Sequence, residues 1–148
     1  MGMFDAFNIN ASGLTAQRYR MDIISENVAN ANTTRTEDGT PYRRKVVTFQ
    51  EKGTGVSFGN VFHAARNRYS GKGVKVDAVH EDTWTEGNMV YDPSHPDADE
   101  NGYVMYPNVN VVAEMTNLID ASRSYEANAT AFSASKSIAL KGLSIGQS

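Results

Sequence analysis

Apolar residues recur every seven positions near both ends of this 148-residue chain, and this repeat restricts its fold more than any other feature. Apolar residues spaced in this way line one side of an α-helix and form the seam of a coiled coil. The first zone is therefore predicted to be a helix over about residues 4 to 31. Its large apolar seam residues are Phe7, Leu14, Met21, Ile24 and Val28.

A second repeat near the carboxyl terminus continues for about 33 residues, which corresponds to roughly 50 Å of helix. Ser122, Ala129 and Lys136 occupy seam positions in which a coiled coil normally has apolar residues. Asn108 or Asn110, just after Pro107, is expected to cap the start of this helix. Its large apolar seam residues are Val111, Met115, Leu118, Tyr125, Phe132 and Leu143, and Ala139 continues the seven-residue row that runs through Phe132.

Both helices are rich in Ala, Ser, Thr and Asn, so their seams offer little apolar area for burial. Burial contributes roughly 25 cal/mol per Å², whereas fixing the backbone costs roughly 1–2 kcal/mol per residue. A single pair of such helices is expected to be weakly stable or partly disordered. Two interpretations follow: contact with several neighbours in a multi-chain bundle, or an ordinary two-helix core with a soluble Ala/Ser-rich face.

Short β-strands are predicted between the helical zones, bounded by Gly, Asp and Asn turn signals. Residues 51–72 are predicted to form a flexible excursion. A sheet of two to four short strands is marginal alone and should lean on the helices. The predicted strands cover 44–50, 74–79, 89–91 and 103–106.

The sequence therefore predicts an α+β fold in three zones. Residues 1–33 and 109–148 form the long terminal helices, which pair as an antiparallel or staggered coiled coil. Residues 34–108 form a small β-rich central insert. The net charge of −3 argues against a nucleic-acid binder. No stretch approaches the roughly 20 apolar residues of a membrane span, and the first residues lack the features of a secretory signal.

Motifs for metal, cofactor or catalytic chemistry are weak, so neither a cofactor nor a catalytic site is predicted. Residues 97–102, DADENG, match half of a calcium-binding loop, but Asn108 stands where the bidentate Glu belongs, which favours a solvated turn. The three histidines, at 63, 80 and 95, follow no metal-ligand spacing. The absence of cysteine excludes disulfides and thiolate metal sites.

Two features in the middle of the chain leave alternatives open. The basic run Arg43-Arg44-Lys45 could meet an acidic neighbouring subunit or guard an exposed strand edge. Trp84, in the polar stretch EDTWTEGN, could cover the small sheet or anchor an interface, because Trp is enriched at binding hot spots.

The ends of the chain also resemble a known family. Residues 11–34, ASGLTAQRYRMDIISENVANANTT, and 109–128, VNVVAEMTNLIDASRSYEAN, are similar to the amino- and carboxy-terminal signatures of bacterial flagellar rod and hook proteins. The middle segments PYRRKVVTFQ, GVKVDAV, MVYDPSHPDAD and GYVMYPNVNVV resemble the proximal rod proteins of type C within that family.

This resemblance implies a structural, non-enzymatic subunit of the flagellar basal body. Relatives leave the cytoplasm through the flagellar export apparatus without a cleaved signal peptide and assemble into a helical tube across the periplasm. Implied partners are other copies of the chain, other rod proteins, the membrane-ring adaptor and the export apparatus, with the large apolar seam residues as the assembly interface. The rival hypothesis is a small monomeric enzyme or ligand-binding domain with helical flanks.

Overall fold

The computed structural model describes residues 3–53, 62 and 72–145. Helix α1 spans Met3–Ala29 and helix α2 spans Val111–Ile145. Within the described ranges, the strands pair as two sheets, β1 with β2 and β3 with β4. The predicted α+β class, with long helices at both ends and a small β-rich insert, is confirmed. The strands are β1 (Lys45–Glu51), β2 (Val74–Glu81), β3 (Asn88–Tyr91) and β4 (Tyr103–Tyr106).

Local sequence signals located these elements to within about two residues. Turns occur at the predicted Asp38-Gly39 and Asn101-Gly102 signals. The predicted excursion over 51–72 falls mostly on residues 54–61 and 63–71, which lie outside the described residues, as does His63. Among the residues that the structure covers, no helix is long and apolar enough to cross a membrane.

Contacts divide the chain into two compact units, each assembled from distant parts of the sequence. Unit 1 comprises residues 1–18, 49–77 and 122–148, and unit 2 comprises residues 19–48 and 78–121. Each unit combines helical and strand segments. The predicted division into zones 1–33, 34–108 and 109–148 stays a prediction about folding units.

Unit 1 contains the start of α1 packed antiparallel to the end of α2. The rings of Phe7 and Phe132 meet edge to face with centroids 5.1 Å apart. Gly13 lies against Asn128, and a Cβ placed on Gly13 would come within 2.7 Å of the Asn128 Oδ1 atom. The residue numbers rise on one helix and fall on the other, so the antiparallel alternative of the prediction holds in this unit.

The same unit fastens the start of β2 to α1 through Ser12. The Ser12 hydroxyl donates to the Ile9 carbonyl at 2.7 Å and accepts from the Val74 amide at 3.0 Å. Gly73 precedes this contact with a φ of 92°, a left-handed conformation that favours glycine. Its carbonyl accepts a hydrogen bond from the Lys52 amide at 2.8 Å. Gly73 therefore both turns the chain and lets the strand approach the helix.

The contact between Gly13 and Asn128 yields a prediction in which helix propensity and packing oppose each other. Ala should stabilise a helix by about 1 kcal/mol relative to Gly, but overpacking against Asn128 costs about 1–3 kcal/mol. Gly13→Ala alone is therefore expected to be neutral or destabilising in urea unfolding. In an Asn128→Ala background the same change should stabilise by about 1 kcal/mol. Equal effects in both backgrounds would contradict this contact.

The buried face of α2 differs from the predicted seam in one of its two rows. Leu118, Tyr125, Phe132 and Ala139 were predicted, and they lie on the side of the helix that carries its most buried residues. The second predicted row, which includes Met115, Lys136 and Leu143, is largely exposed. Polar and small residues take its place, and two of them, Glu114 and Asn128, contact α1 directly. That observed second row is Glu114, Ala121, Asn128 and Ser135.

Unit 2 holds the start of α2 in place with two asparagines that have different roles. Asn110 caps the helix, since its Oδ1 accepts from the Ala113 amide at 3.1 Å. Asn108 instead joins two segments: it accepts from the Arg44 amide and donates to the carbonyls of Asp82 and Thr85. Of the two predicted caps, Asn110 is confirmed and Asn108 is wrong, because its amide is used between segments.

Candidate assembly interface

A buried polar cluster in unit 2 joins α1 to the first strand and to α2. Asn27 is fully buried, yet all four hydrogen-bonding positions of its amide are occupied. Its Nδ2 donates to the Lys45 carbonyl at 2.8 Å and to Glu114 Oε2 at 3.0 Å. Its Oδ1 accepts from the Tyr42 hydroxyl and the Lys45 amide, both at 2.9 Å. Burial of a polar group is tolerated when it is paired in this way.

Glu114 supplies the charge of this cluster. Its side chain is 1% exposed, and Oε1 accepts from Arg44 Nε at 2.9 Å and pairs with Nη2 at 2.8 Å. Asn117, one turn further along α2, donates to the same oxygen at 3.3 Å. The two-point geometry of the guanidinium compensates for the loss of water around the carboxylate. The cluster thereby fixes how the start of α2 meets α1 and the segment that leads into β1.

The basic run 43–45 serves the fold more than it serves a neighbouring subunit. Arg44 pairs with the buried Glu114, and Lys45 Nζ lies 2.5 Å from Glu26 Oε1 on α1. Within the run only Arg43 is classed as exposed. Neither sequence alternative is right for Arg44 and Lys45, because their acidic partners lie within the same unit.

Tyr42 gives the cluster a pH dependence. Burial, and next the negative charges of Glu26, Glu81 and Glu114, raise the pKa of its phenol to about 12. Below pH 10 the phenol keeps its proton in both folded and unfolded chains. Between about pH 10 and 12 the unfolded chain releases that proton first, so stability is lost over this window, by about 2 kcal/mol.

Tyr42→Phe should therefore flatten the fall in unfolding free energy above pH 10, as measured by urea titrations monitored by circular dichroism. Tyr19→Phe changes a tyrosine that is 39% exposed on α1 and is the matched control. The same slope in Tyr42→Phe and the parent chain would contradict this assignment.

The predicted interface residues divide into two groups in the structure. Ile24 is buried, and Phe7, Leu14, Met21, Val28, Leu118 and Phe132 are half-buried, so they contribute to packing inside the chain. The others expose more than a third of their surface: Val111 (40%), Met115 (55%), Tyr125 (37%) and Leu143 (61%). Contact between copies through any of these residues stays a prediction.

Helix α2 also presents an exposed apolar stripe, of which the heptad pattern included one residue. Val112, Met115 and Ile119 lie at i, i+3 and i+7, which places them on one side of the helix. Their side chains are 75%, 55% and 53% exposed. Another side of the same turns carries the buried Glu114, so this part of α2 has one buried polar face and one exposed apolar face. Only Met115 was among the residues predicted from the sequence.

The outer face of hairpin β3–β4 is likewise apolar and exposed. Met89 pairs with Met105 and Tyr91 with Tyr103, and the rings of the two tyrosines meet with centroids 5.2 Å apart. All four side chains are 39–64% exposed. The opposite face includes Val104, which is fully buried. We call the four residues Met89, Tyr91, Tyr103 and Met105 the Met/Tyr face.

Trp84 does not cover the sheet, because its side chain is 95% exposed. A hydrogen-bonded turn holds it there: Asp82 Oδ1 accepts from the amides of Trp84 and Thr85. These bonds, with those from the Thr85 side chain, lower the pKa of the Asp82 carboxyl and keep it charged. The sheet-cover alternative is therefore wrong, and the interface-anchor alternative stays a prediction.

The carboxylates of residues 97–102 are used in local structure. Asp97 accepts from the Thr34 hydroxyl at 2.8 Å and lies 3.6 Å from the Arg35 guanidinium. Asp99 Oδ1 accepts from the amides of Asn101 and Tyr103. The Asp99 bonds form a turn, which the sequence favoured over a calcium loop, whereas Asp97 joins this turn to residues 34 and 35. In the described part of the chain, no group of three or more potential metal ligands converges.

Comparison with known proteins identifies the family. Residues 7–35 match the family described as "Flagella basal body rod protein", and residues 100–145 match "Flagellar basal body rod FlgEFG protein C-terminal". The flagellar basal-body rod protein FlgC of Bacillus subtilis is 45% identical over 99% of this chain and 100% of its own length. Those of Borreliella burgdorferi and Salmonella typhimurium are each 43% identical, over 99% of this chain and 99% and 100% of their own lengths.

The chain belongs to the FlgC family of flagellar basal-body rod proteins. The resemblance seen in the sequence is thereby confirmed, and the protein is a structural rod subunit. The contacts described above join the two segments matched by the family descriptions. Gly13 meets Asn128 in unit 1, and Asn27 meets Glu114 in unit 2.

Asn27 and Glu114 lie within the two signature segments, but no buried structural role was predicted for either residue. The signal available in the sequence was a polar residue at a position where the apolar spacing of the helix predicts a buried apolar one. Asn27 lies three positions after Ile24, and Glu114 lies four positions before Leu118. A search for polar residues at such spacing could have identified both.

Proposed function

We propose that this FlgC-family chain is a subunit of the proximal rod, which assembles with copies of itself and with other rod proteins into a helical tube that transmits torque. The observation that carries the proposal is the exposed stripe of Val112, Met115 and Ile119 on α2. Contiguous apolar surface on a soluble chain marks an interaction site. A contact between two different surfaces, repeated with a rotation that does not close, generates a helical filament.

The finer parts of the proposal rest on family membership. The chain is proposed to leave the cytoplasm through the flagellar export apparatus without cleavage of a signal peptide, and to meet the membrane-ring adaptor in the periplasm. The small net charge of each helix seam and its modest apolar content support a chain that completes its burial against neighbouring subunits. Its role in this proposal is mechanical rather than catalytic, since torque is carried by many lateral contacts.

The test compares substitutions on two faces of the same helical turns. Met115→Asp and Ile119→Asp place a charge in the exposed stripe without disturbing buried packing, and are expected to abolish incorporation into basal bodies and motility. Ala113→Asp, which is exposed on a different side of α2, is the matched control and should assemble normally. Leu118→Asp is less informative because Leu118 is half-buried and the change would also destabilise the monomer.

Three measurements make the outcome decisive: secretion of each variant, its circular dichroism, and immunolabelling of isolated basal bodies. The proposal predicts variants that are folded and secreted but absent from the rod. Normal motility with Met115→Asp and Ile119→Asp combined would reject the role of this stripe. Absence of the parent chain from basal bodies would reject the rod function itself.

A further inference from the structure

The two units carry opposite net charge. Unit 2 contains thirteen acidic and five basic residues, a net charge of −8, whereas unit 1 contains four acidic and nine basic residues, a net charge of +5. Residues 78–121 alone include nine acids and neither Lys nor Arg. The modest net charge of the whole chain conceals this separation. Opposite charge on two units of one polypeptide favours association of the acidic unit of one copy with the basic unit of another.

Acidic side chains lie next to the Met/Tyr face of unit 2. Asp92 follows β3 directly, and Asp99 and Glu100 precede β4, so all three are at the same end of the hairpin as Tyr91 and Tyr103. Asp99 and Glu100 are exposed. Ser94 donates to Asp92 through its hydroxyl and its amide, which lowers the pKa of that carboxyl. The surface therefore combines exposed Met and Tyr side chains with a border of carboxylates.

The carboxy-terminal end of α2 in unit 1 has the complementary character. Lys136, Leu140 and Leu143 lie at i, i+4 and i+7 and therefore share one side of the helix. Leu140 and Leu143 are 57% and 61% exposed, and Lys136 and Lys141 are exposed as well. An apolar helical side with adjacent lysines fits an apolar hairpin face with adjacent carboxylates.

We propose that the Met/Tyr face receives the lysine-bearing end of α2 from a second copy, so that copies join head to tail. The inference rests on the proposed rod function and names the contact between copies. Both surfaces belong to the same chain and differ from each other, so each added copy leaves one of each kind free. This geometry extends to a filament rather than closing as a symmetric dimer.

Charge reversal tests the electrostatic contribution to this head-to-tail contact. The association constant of the purified full-length chain is measured by sedimentation velocity at low salt. Asp99→Lys with Glu100→Lys, or Lys136→Glu with Lys141→Glu, should each lower the association constant roughly tenfold or more. Mixing the two variants should restore association, because each variant then offers the charge that the other lacks. Glu37→Lys with Asp38→Lys makes the same change in net charge on an exposed turn of unit 2 and should associate like the parent chain.

Cysteine pairing tests the apolar part, since the parent chain contains no cysteine. Tyr91→Cys chain mixed with Leu143→Cys chain should form disulfide-linked heterodimers under mild oxidation, in excess over each variant alone. Thr130→Cys, at an exposed position elsewhere on α2, replaces Leu143→Cys in the control mixture and should give little product.

Equal yields in the two mixtures, faster pairing of Tyr91→Cys with itself, or monomers at every salt concentration would each overturn the head-to-tail contact. If one of these results is obtained and the parent chain is still found in basal bodies, only this contact is rejected and the rod function stands. Absence of the chain from basal bodies would instead reject the function on which the inference rests.

Discussion

Glu114→Ala is expected to destabilise the folded chain by about 3 kcal/mol, because it leaves the Arg44 guanidinium without its carboxylate and removes an acceptor from the buried Asn27. The Arg44 side chain is 29% exposed, and partial hydration keeps the expected loss at the lower end of the range for a broken buried pair. Urea unfolding monitored by circular dichroism measures the loss. Fluorescence is unsuitable, since Trp84, the single tryptophan, is almost fully exposed.

The matched control is Glu126→Ala, at an exposed position on the same helix, which should change stability by less than about 0.5 kcal/mol. Arg44→Ala and Glu114→Ala combined should cost less than the sum of the single changes, because the second removes a group already left unpaired. Strict additivity would show that the ion pair contributes little to the cluster.

Gly73→Ala is expected to cost about 3 kcal/mol through two effects. A side chain at a φ of 92° is strained by about 1–3 kcal/mol. The new Cβ would also collide with the Ser12 hydroxyl and approach Ile9 Cα to 3.3 Å, which disrupts the bond from the Val74 amide to Ser12. A lost hydrogen bond adds about 1 kcal/mol. Thermal or urea unfolding of the purified variant measures the sum.

Gly53→Ala is the control for this variant, because a Cβ there meets nothing within 4 Å. It should be neutral or slightly stabilising through the reduced freedom of the unfolded chain. Adding Ser12→Ala to the Gly73→Ala chain should restore the stability lost to the collision with the Ser12 hydroxyl. The loss caused by the left-handed φ of residue 73 should remain. A Gly73→Ala chain as stable as the parent would contradict the tight approach of β2 to α1.

The sequence predicted secondary structure well because local signals dominate it. Alternating β-branched and aromatic residues gave the strands, and Asn110 after Pro107 marked the start of α2. The four-residue row from Leu118 to Ala139 was also predicted, since large apolar residues at seven-residue spacing are seldom left exposed on a helix.

The second row was missed because the pattern search counted apolar area alone. Met115 fits an apolar seam better than Glu114 does, yet Glu114 is buried because Arg44, 70 positions earlier, supplies its partner. Asn128 is half-buried because Gly13 leaves room for it. Such pairings depend on which distant segments meet, and no local window of sequence contains that information.

The prediction for Trp84 was wrong in the opposite direction: a large apolar side chain that was expected to be covered is exposed. Covering the sheet was the simpler expectation for a large apolar side chain. The Trp84 and Thr85 amides instead donate to Asp82 Oδ1 and hold a turn in which the Trp84 side chain is exposed. An Asp two residues before a bulky residue in a polar stretch is a turn signal that could have weakened that expectation.

The bond between Asn27 and Glu114 joins residues 87 positions apart, so the first helix acquires this buried partner only when most of the chain has been made. Until Glu114 has been synthesised, the Asn27 amide has only the partners from residues 42 to 45 and water in place of the carboxylate. A chain still emerging from the ribosome therefore lacks a contact that holds α1 to the start of α2. The order of synthesis therefore delays completion of this buried cluster until α2 has begun to emerge.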